Sequence, residues 1–337
     1  AAFAIGWIES PIVSFAVAVY ALTIALTSNL FFPIGVIKAE RLLYLPLFGF
    51  CLLAGLAFDA LWGRAKGVEK KVALCLALAV VCGAGALRTY ARNFVWRDDL
   101  SLFQSVLKQA PRNVKALCNY ANALSAEKGQ YDKALEMVNR ALAAHPGDLY
   151  ALTIQGTILA NKAVALAKPA NPMNTPEGRT LLAQAESSFR QALDANSQFA
   201  PARLYYGTLL YRTGRHGEAL EQLRAGAALD GRDFAIRRQL GLTAWVAADK
   251  LARGDPEAKR ALLEEAAAAL EKSLEFVPFD YEARGKLGLA YYELGDYYNA
   301  LLHLSHAHNI EYERRKTHNL ELLLFIGGAQ RYLGKYD

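Results

Sequence analysis

The hydrophobic pattern divides the chain into a strongly apolar first quarter and a longer part with helical periodicity. Residues 11–30 contain no charged side chain, and residues 42–62 and 72–87 form two further apolar runs. At about 1.5 Å per residue, a helix of about 20 residues matches the roughly 30 Å hydrocarbon core of a bilayer. The pattern therefore predicts three transmembrane helices within residues 1–88.

A short basic loop between the second and third runs predicts their orientation. Residues 63–71 contain Arg64, Lys66, Lys70 and Lys71, and short loops rich in Lys and Arg remain in the cytoplasm. The turn at residues 31–41 and all residues after the third run are then expected on the opposite, lumenal or periplasmic side.

After a basic and aromatic juxtamembrane connector at residues 89–99, amphipathic helices recur with small residues at regular positions. The small residues that align in the first helix of each pair are Ala121, Gly156, Gly207, Gly241, Gly288 and Gly327. The step from Gly207 to Gly241 is 34 residues, the length of a tetratricopeptide repeat, and longer steps contain insertions. The sequence thus predicts an all-α chain, with an α-solenoid of about six tetratricopeptide repeats over residues 100–337 and a truncated last repeat.

Two insertions interrupt this periodicity, at residues 161–180 and 246–260. We expect each to lengthen the first helix of its repeat, the second and the fourth, and to add a solvated loop. Insertions on one face of a solenoid often flank its binding surface.

First-helix side chains are expected to line the concave face of the solenoid. The predicted groove residues are Asn119, Asn122, Tyr205, Tyr211, Arg212, Arg238, Trp245, Lys286 and Tyr292, with Cys118, Thr208 and Gln239 beside them. Aromatic, amide and basic groups together suit an extended peptide whose main chain needs hydrogen-bonding partners. For any one of these residues, an ordinary surface position is the competing interpretation.

Composition argues against three further features: a nucleic-acid partner, a disulfide framework and a metal site. The net charge of +6 comes without a basic run containing aromatic residues, so no nucleic-acid partner is predicted. Three of the four cysteines lie in apolar runs, which argues against a disulfide framework. His303, His306, His308 and His318 have no Cys or acidic partner to complete a tetrahedral site, so we favour a solvated helix face and predict no metal and no cofactor.

Two segments together carry a resemblance to a known family. FFPIGVIKAERLLYLPLFGFCLL, with its E-R-x-L-Y-L-P core at residues 40–46, precedes one more apolar run and then RNFVWRDDLSLFQSVLKQAPRNVKALCNYANAL. This combination resembles the transmembrane and tetratricopeptide repeat-containing O-mannosyltransferases, which are membrane glycosyltransferases of the GT-C class. The resemblance implies transfer of mannose from a dolichyl-phosphate donor to Ser or Thr of proteins, with the repeat array in the lumen of the endoplasmic reticulum.

The resemblance also implies where the chemistry takes place. Lys38 and Arg41 would bind the phosphate of the lipid donor, Glu40 would orient Arg41, and Tyr44 would shape the groove for the first isoprenes. The catalytic acid of the family is expected upstream of Ala1, so no catalytic residue is assigned within this chain.

Two other interpretations are compatible with the sequence. One is a membrane-anchored scaffold that uses its repeats only to assemble partner proteins. The other is a bacterial polymerase or ligase of lipid-linked glycans, and a bacterial chain would lie in the inner membrane with a periplasmic array. The charged turn at Lys38–Arg41 argues against a pure anchor, and the E-R-x-L-Y-L-P core argues against the glycan ligase.

Overall fold

The structure, a computed structural model, describes residues 11–27, 44–167 and 171–334. The chain packs as two units, Ala1–Phe94 and Val95–Asp337. Every regular element within the described residues is helical, which confirms the predicted all-α class.

The first unit contains the helices α1 (Pro11–Thr27), α2 (Tyr44–Arg64) and α3 (Val68–Asn93). Helices α1 and α2 approach closely at Gly49, where an added Cβ would lie 2.8 Å from both the Ala16 carbonyl oxygen and the Tyr20 amide nitrogen. Small residues permit such close approach of apolar helices. Gly49 therefore permits the close approach of α1 and α2, whereas Gly55 faces open space.

Three described helices are long and apolar enough to cross a membrane, as judged by length and composition: Tyr44–Arg64, Val68–Trp96 and Leu149–Ala167. The last belongs to the second unit, where 50% of its most apolar window is buried, so we assign it to the solenoid. The first predicted run corresponds to α1, whose apolar stretch, Pro11–Ala25, is shorter than these three helices. Helix α3 is longer than the predicted run of residues 72–87, because good helix formers such as Lys70 and Arg88 flank that run.

The second unit is an array of helix hairpins. Its helices are α4 (Asp99–Gln109), α5 (Val114–Lys128), α6 (Tyr131–Ala144), α7 (Leu149–Ala167), α8 (Pro176–Ala195), α9 (Ala200–Arg212), α10 (His216–Leu229), α11 (Phe234–Lys250), α12 (Pro256–Phe276), α13 (Tyr281–Leu294), α14 (Tyr297–Arg315) and α15 (Leu320–Tyr332). From α5 onward, odd-numbered helices are the first helices of repeats and even-numbered helices are the second. From α5 to α13, each first helix packs on its own second helix and on the next first helix.

Capping residues explain where the first helices begin. In five of them an Asn or Asp lies eight residues before the aligned small residue, and its side-chain oxygen accepts a hydrogen bond from a backbone N–H of the first turn. These caps are Asn113, Asp148, Asp233, Asp280 and Asn319. Each such cap stabilises its helix by about 1 kcal/mol, so the sequence also determines where each repeat starts.

The aligned glycines set the distance between the helices of a hairpin. A Cβ added at Gly156, Gly207, Gly241 or Gly288 would lie 2.8, 2.7, 2.5 or 2.7 Å from a side-chain atom of the second helix. The facing side chains are Phe189, Leu223, Leu270 and Leu304. A larger residue would push the two helices apart, so these glycines are structural.

Both insertions are mainly helical. They extend α7 to 19 residues and α11 to 17, and they also lengthen the second helices α8 and α12 to 20 and 21 residues. Ala163 and Ala167 of the α7 extension are buried, as is Ala252 after α11. The predicted lengthening of the first helices is found, and the segments between the helices, residues 171–175 and 251–255, are exposed or half-buried apart from Ala252.

An ion pair joins each pair of consecutive hairpins from the first to the fifth. The four junctions contain Lys162–Asp132 at 2.6 Å, Arg215–Glu186 at 2.8 Å, Arg224–Glu265 at 2.7 Å, and Arg238–Asp280 at 2.6 Å. The pairs use different helices at different junctions, so no common pattern repeats along the array.

Candidate peptide-binding groove

The first of the predicted groove residues, Asn119, belongs to a pair of polar side chains. The Tyr150 hydroxyl on α7 donates a hydrogen bond to Asn119 Oδ1 on α5, at 2.9 Å. Burial raises the pKa of Tyr150, and the neighbouring Cys118 and Tyr205 raise it further. The three residues lie on α5, α7 and α9, successive first helices that pack on one another. Tyr205 is 39% exposed and Asn122 is exposed, so both side chains are accessible.

Cys118 lies beneath this pair rather than on the surface. Its side chain is fully buried, and burial raises the pKa of its thiol to about 12, with a further contribution from Asp148. A thiol with so high a pKa is almost entirely protonated at neutral pH and is a poor nucleophile. Cys118 is therefore a core residue.

A basic group lies near the end of α9. Arg212 is exposed to solvent, and its NH1 donates to Asn161 Oδ1 at 3.3 Å. The surrounding protein nevertheless lowers the pKa of Arg212 by desolvation. The preceding Tyr211 is half-buried, with its ring 5.7 Å from that of His216.

Arg238 on α11 is held firmly by two carboxylates. Its Nε donates to Asp280 Oδ2 at 2.6 Å and its NH2 donates to Glu282 Oε2 at 2.5 Å. Burial alone would lower the pKa of Arg238, but the two carboxylates outweigh it and raise the pKa. This arginine is thus neutralised by the protein itself and is poorly placed to bind an anionic ligand.

Trp245 and Lys286 form a cation–π pair in the next part of the groove. Lys286 Nζ lies 3.9 Å from the centroid of the Trp245 ring, so the ammonium is attracted to the ring face. The indole Nε1 of Trp245 is buried and has no hydrogen-bond partner among the described residues. The ring is wedged between buried residues of three neighbouring clusters.

The structure places Tyr292 in an aromatic cluster rather than on a free surface. Its ring packs edge-on against Tyr297 at 5.4 Å and Phe325 at 5.1 Å, and also meets Tyr332. Two polar side chains are partly used within their own helices: Thr208 Oγ1 donates to the Leu204 carbonyl, and Gln239 Nε2 donates to Thr243 Oγ1.

Two further first-helix side chains, Tyr150 and Glu282, make hydrogen bonds with the predicted groove residues Asn119 and Arg238. Both lie six positions before the packing glycine of their helix, Gly156 and Gly288. That common spacing is a signal that could have identified them.

The histidines are distributed differently from the solvated face expected for them. His308 is buried, and its Nε2 lies 3.2 Å from His318 Nδ1. His303 stacks on Tyr291 at 5.8 Å, and of these four histidines only His306 and His318 are exposed. The described residues contain no group of three or more His, Cys, Asp or Glu side chains arranged to hold a metal ion.

The predicted lipid-phosphate residues Lys38, Glu40 and Arg41 lie outside the described residues. Tyr44, the fourth member of that set, is the first residue of α2 and is 76% exposed.

Comparison with known proteins agrees with the repeat architecture. Tetratricopeptide-repeat families match residues 100–157 and 179–234. A solved tetratricopeptide-repeat protein of Thermus thermophilus is 26% identical and aligns with 61% of this chain and 97% of its own, with a TM-score of 0.45.

Two relatives in sequence are both named protein O-mannosyl-transferases. Protein O-mannosyl-transferase Tmtc1 of Drosophila melanogaster is 34% identical over 277 residues, which cover 81% of this chain and 29% of that protein. Protein O-mannosyl-transferase TMTC3 of Homo sapiens is 28% identical over 66% of this chain and 27% of its own length. This chain thus spans less than a third of the length of these relatives.

The similarity to Tmtc1 is not confined to the repeats. Since the second unit begins at Val95, a match over 81% of the chain includes part of the apolar helices as well. The apolar helices and these relatives together indicate a membrane protein. The resemblance to the transmembrane and tetratricopeptide repeat-containing O-mannosyltransferases that the sequence indicated is therefore confirmed, over apolar helices and repeats alike.

Proposed function

We propose that this chain is the C-terminal part of an integral-membrane glycosyltransferase, which transfers mannose from a polyprenyl- or dolichyl-phosphate donor to Ser or Thr of proteins. The observation that supports it is the similarity to Tmtc1, named a protein O-mannosyl-transferase, which extends over the repeats and part of the apolar helices. A scaffold that only used its repeats would have no need for similarity in the apolar part.

In this proposal the charged turn binds the donor. Arg41 and Lys38 form charge-assisted hydrogen bonds to the phosphate, Glu40 orients Arg41, and the exposed Tyr44 ring contacts the first isoprenes. The lipid phosphate is the leaving group, and it carries negative charge. Cations held beside it lower the barrier by stabilising that charge as its bond to the sugar breaks.

The array holds the acceptor protein in this scheme. The accessible polar side chains Asn122, Tyr205 and Arg212 offer hydrogen bonds to an extended main chain. The basic loop at residues 63–71 argues that array and charged turn share one side of the membrane. That side is the lumen of the endoplasmic reticulum in a eukaryote and the periplasm in a bacterium.

The test is an Arg41→Ala variant of the protein as the cell makes it. Isolated membranes would be supplied with radiolabelled mannosyl-phosphoryl-polyprenol, and label transferred to protein would be measured against protein level on immunoblots. We expect transfer to fall at least about tenfold, since an arginine–phosphate contact made to the departing group is worth more than about 1.4 kcal/mol. Arg64→Ala, at the other end of α2, is the matched control and should transfer normally.

Two results would contradict the proposal at different points. Normal transfer by Arg41→Ala would remove the donor assignment. Wild-type membranes that transfer no more mannose than membranes lacking the protein would remove the enzymatic function and favour a scaffold.

A further inference from the structure

A cleft of about 250 Å³ opens where α13, α14 and α15 meet. Its floor is apolar and buried, formed by Gly285, Leu289 and Leu322. Its rim is polar, and the rim residues are Tyr281, Glu282, Lys286, Glu311, Arg315, Asn319 and Glu321. Pockets for drug-sized ligands begin at roughly 300 Å³, so this cleft is suited to a single long side chain.

The cleft belongs to the groove. Glu282, Lys286 and Leu289 occupy the concave positions of α13, since Glu282 is equivalent to Tyr150 in its spacing from the packing glycine and Lys286 stacks on Trp245. What binds in the cleft is therefore part of what binds in the groove, and the inference rests on the proposed function of the array.

Two cationic or amide donors of the rim, Arg315 and Asn319, are engaged by the protein. Arg315 NH1 lies 3.0 Å from Glu311 Oε1, and its NH2 donates to the Tyr281 hydroxyl at 3.0 Å. Asn319 Nδ2 donates to Glu311 Oε2 at 2.7 Å. The Lys286 ammonium is drawn over the Trp245 ring, on the α11 side of the cleft.

The carboxylate acceptors of the rim outnumber its cations. Glu311 is nine-tenths buried and fully used, but Glu282 has a hydrogen bond from Arg238 to only one of its oxygens. Glu321, in the first turn of α15, is exposed, and no basic side chain of the described residues pairs with it. The lining contains three carboxylates and two cations, so a ligand that brings donors and a positive charge is favoured.

We propose that this cleft is a specificity pocket of the groove, which takes one lysine or arginine side chain of the bound peptide. The aliphatic stem lies on Leu289 and Leu322, and the cationic head lies between Glu282 and Glu321. Long basic side chains bury their stems on apolar surface in this way while their heads remain at a polar rim.

The test uses the full chain in nanodiscs of phosphatidylcholine, a lipid without net charge. The probes are two fluorescent pools of decapeptides, with lysine or norleucine fixed at the fifth position and Ala, Ser, Thr, Val or Tyr elsewhere. Norleucine keeps the stem and removes the charge. We expect the lysine pool to bind about three- to tenfold more tightly by fluorescence anisotropy, because a partly exposed ion pair contributes about 1 kcal/mol.

Glu321→Gln should remove this preference while binding of the norleucine pool stays unchanged. Glu257→Gln is the matched control, since Glu257 is also an exposed carboxylate in the first turn of a helix, α12, outside the cleft. Equal binding of both pools by the wild type would contradict the proposed specificity pocket but not peptide binding by the groove. A lysine preference that survives Glu321→Gln would also overturn it, and binding of neither pool would overturn the groove itself.

Discussion

Glycines at equivalent positions of the first helices can have opposite surroundings. Gly241 and Gly327 are equivalent in the repeat alignment, yet a Cβ at Gly241 would lie 2.5 Å from Leu270 Cγ, whereas one at Gly327 would meet nothing within 4 Å. The sequence pattern identifies both as packing positions. Only the structure shows that Gly241 has a second helix against it and that Gly327 has none among the described residues.

Alanine at these two glycines should therefore have opposite effects. We expect Gly241→Ala to lower the free energy of unfolding by about 1–3 kcal/mol, because Leu270 must move. Gly327→Ala should raise it by about 0.5–1 kcal/mol through the higher helix propensity of alanine. Thermal unfolding followed by circular dichroism measures both changes, and effects of the same sign would refute the packing argument.

His303 makes stability depend on pH. Burial lowers its pKa, and the nearby Arg284 and His306 lower it further, against smaller opposing effects of Glu271 and Asp296. Since the unfolded histidine has a pKa of about 6.5, the unfolded chain binds more protons below that pH. The stability linked to His303 is thus present above pH 6.5 and is lost as the pH falls through the folded pKa.

Replacing His303 by Gln should make the fall in melting temperature between pH 7 and pH 5 shallower. The exposed His145, at the end of α6, provides the control, and His145→Gln should leave the slope close to that of the wild type. If His303→Gln and the wild type lose stability in parallel, the buried imidazole is not the source of the pH dependence.

At the scale of elements, the turns between repeats are fastened by arginines. Arg203, Arg237 and Arg284 each lie four residues before the packing glycine and donate to a backbone carbonyl six residues earlier. The distances are 2.9, 2.9 and 2.6 Å. Each guanidinium therefore ties the start of a first helix to the turn that precedes it.

Loss of one such contact should be measurable. Arg237→Met keeps the stem and removes the hydrogen bond to the Gly231 carbonyl, so we expect a loss of about 1 kcal/mol in the free energy of unfolding. Arg232→Met, at an exposed position in the same turn, should change it by less than about 0.5 kcal/mol. Equal losses in the two variants would show that the contact contributes nothing beyond general charge effects.

Much of the element pattern could be predicted from the sequence. The period of small residues predicted the hairpins, because four of the aligned glycines, Gly156, Gly207, Gly241 and Gly288, mark close helix crossings. The insertions were less predictable, since alanine-rich segments such as residues 161–167 have helix propensity but reveal no packing partner. The groove was predicted by position alone. The fixation of Arg238 by Asp280 and Glu282, residues more than 40 positions away, depends on long-range packing that no local pattern contains.

At the scale of the whole molecule, the membrane topology can be tested directly. If α3 spans the bilayer, the loop before it and the array after it lie on opposite sides. Cysteine would be introduced at Lys66 in the loop or at Gln198 in the array, both exposed positions. In sealed vesicles we expect a membrane-impermeant maleimide to label one variant and not the other. Labelling of both without permeabilisation would place α3 outside the bilayer.

The ion pairs between consecutive hairpins have a consequence for the order of the repeats. Lys162 meets Asp132 across one junction, but the next junction is joined by Arg215 and Glu186, with the charges on other helices. Repeats that look interchangeable in sequence therefore have different upper and lower faces, and each face is matched to one neighbour. Exchanging two internal repeats would leave carboxylates and guanidiniums opposite uncharged surface. The repeats therefore form an ordered series. Exchanging, adding or removing one repeat would break the ion pairs that join it to its neighbours.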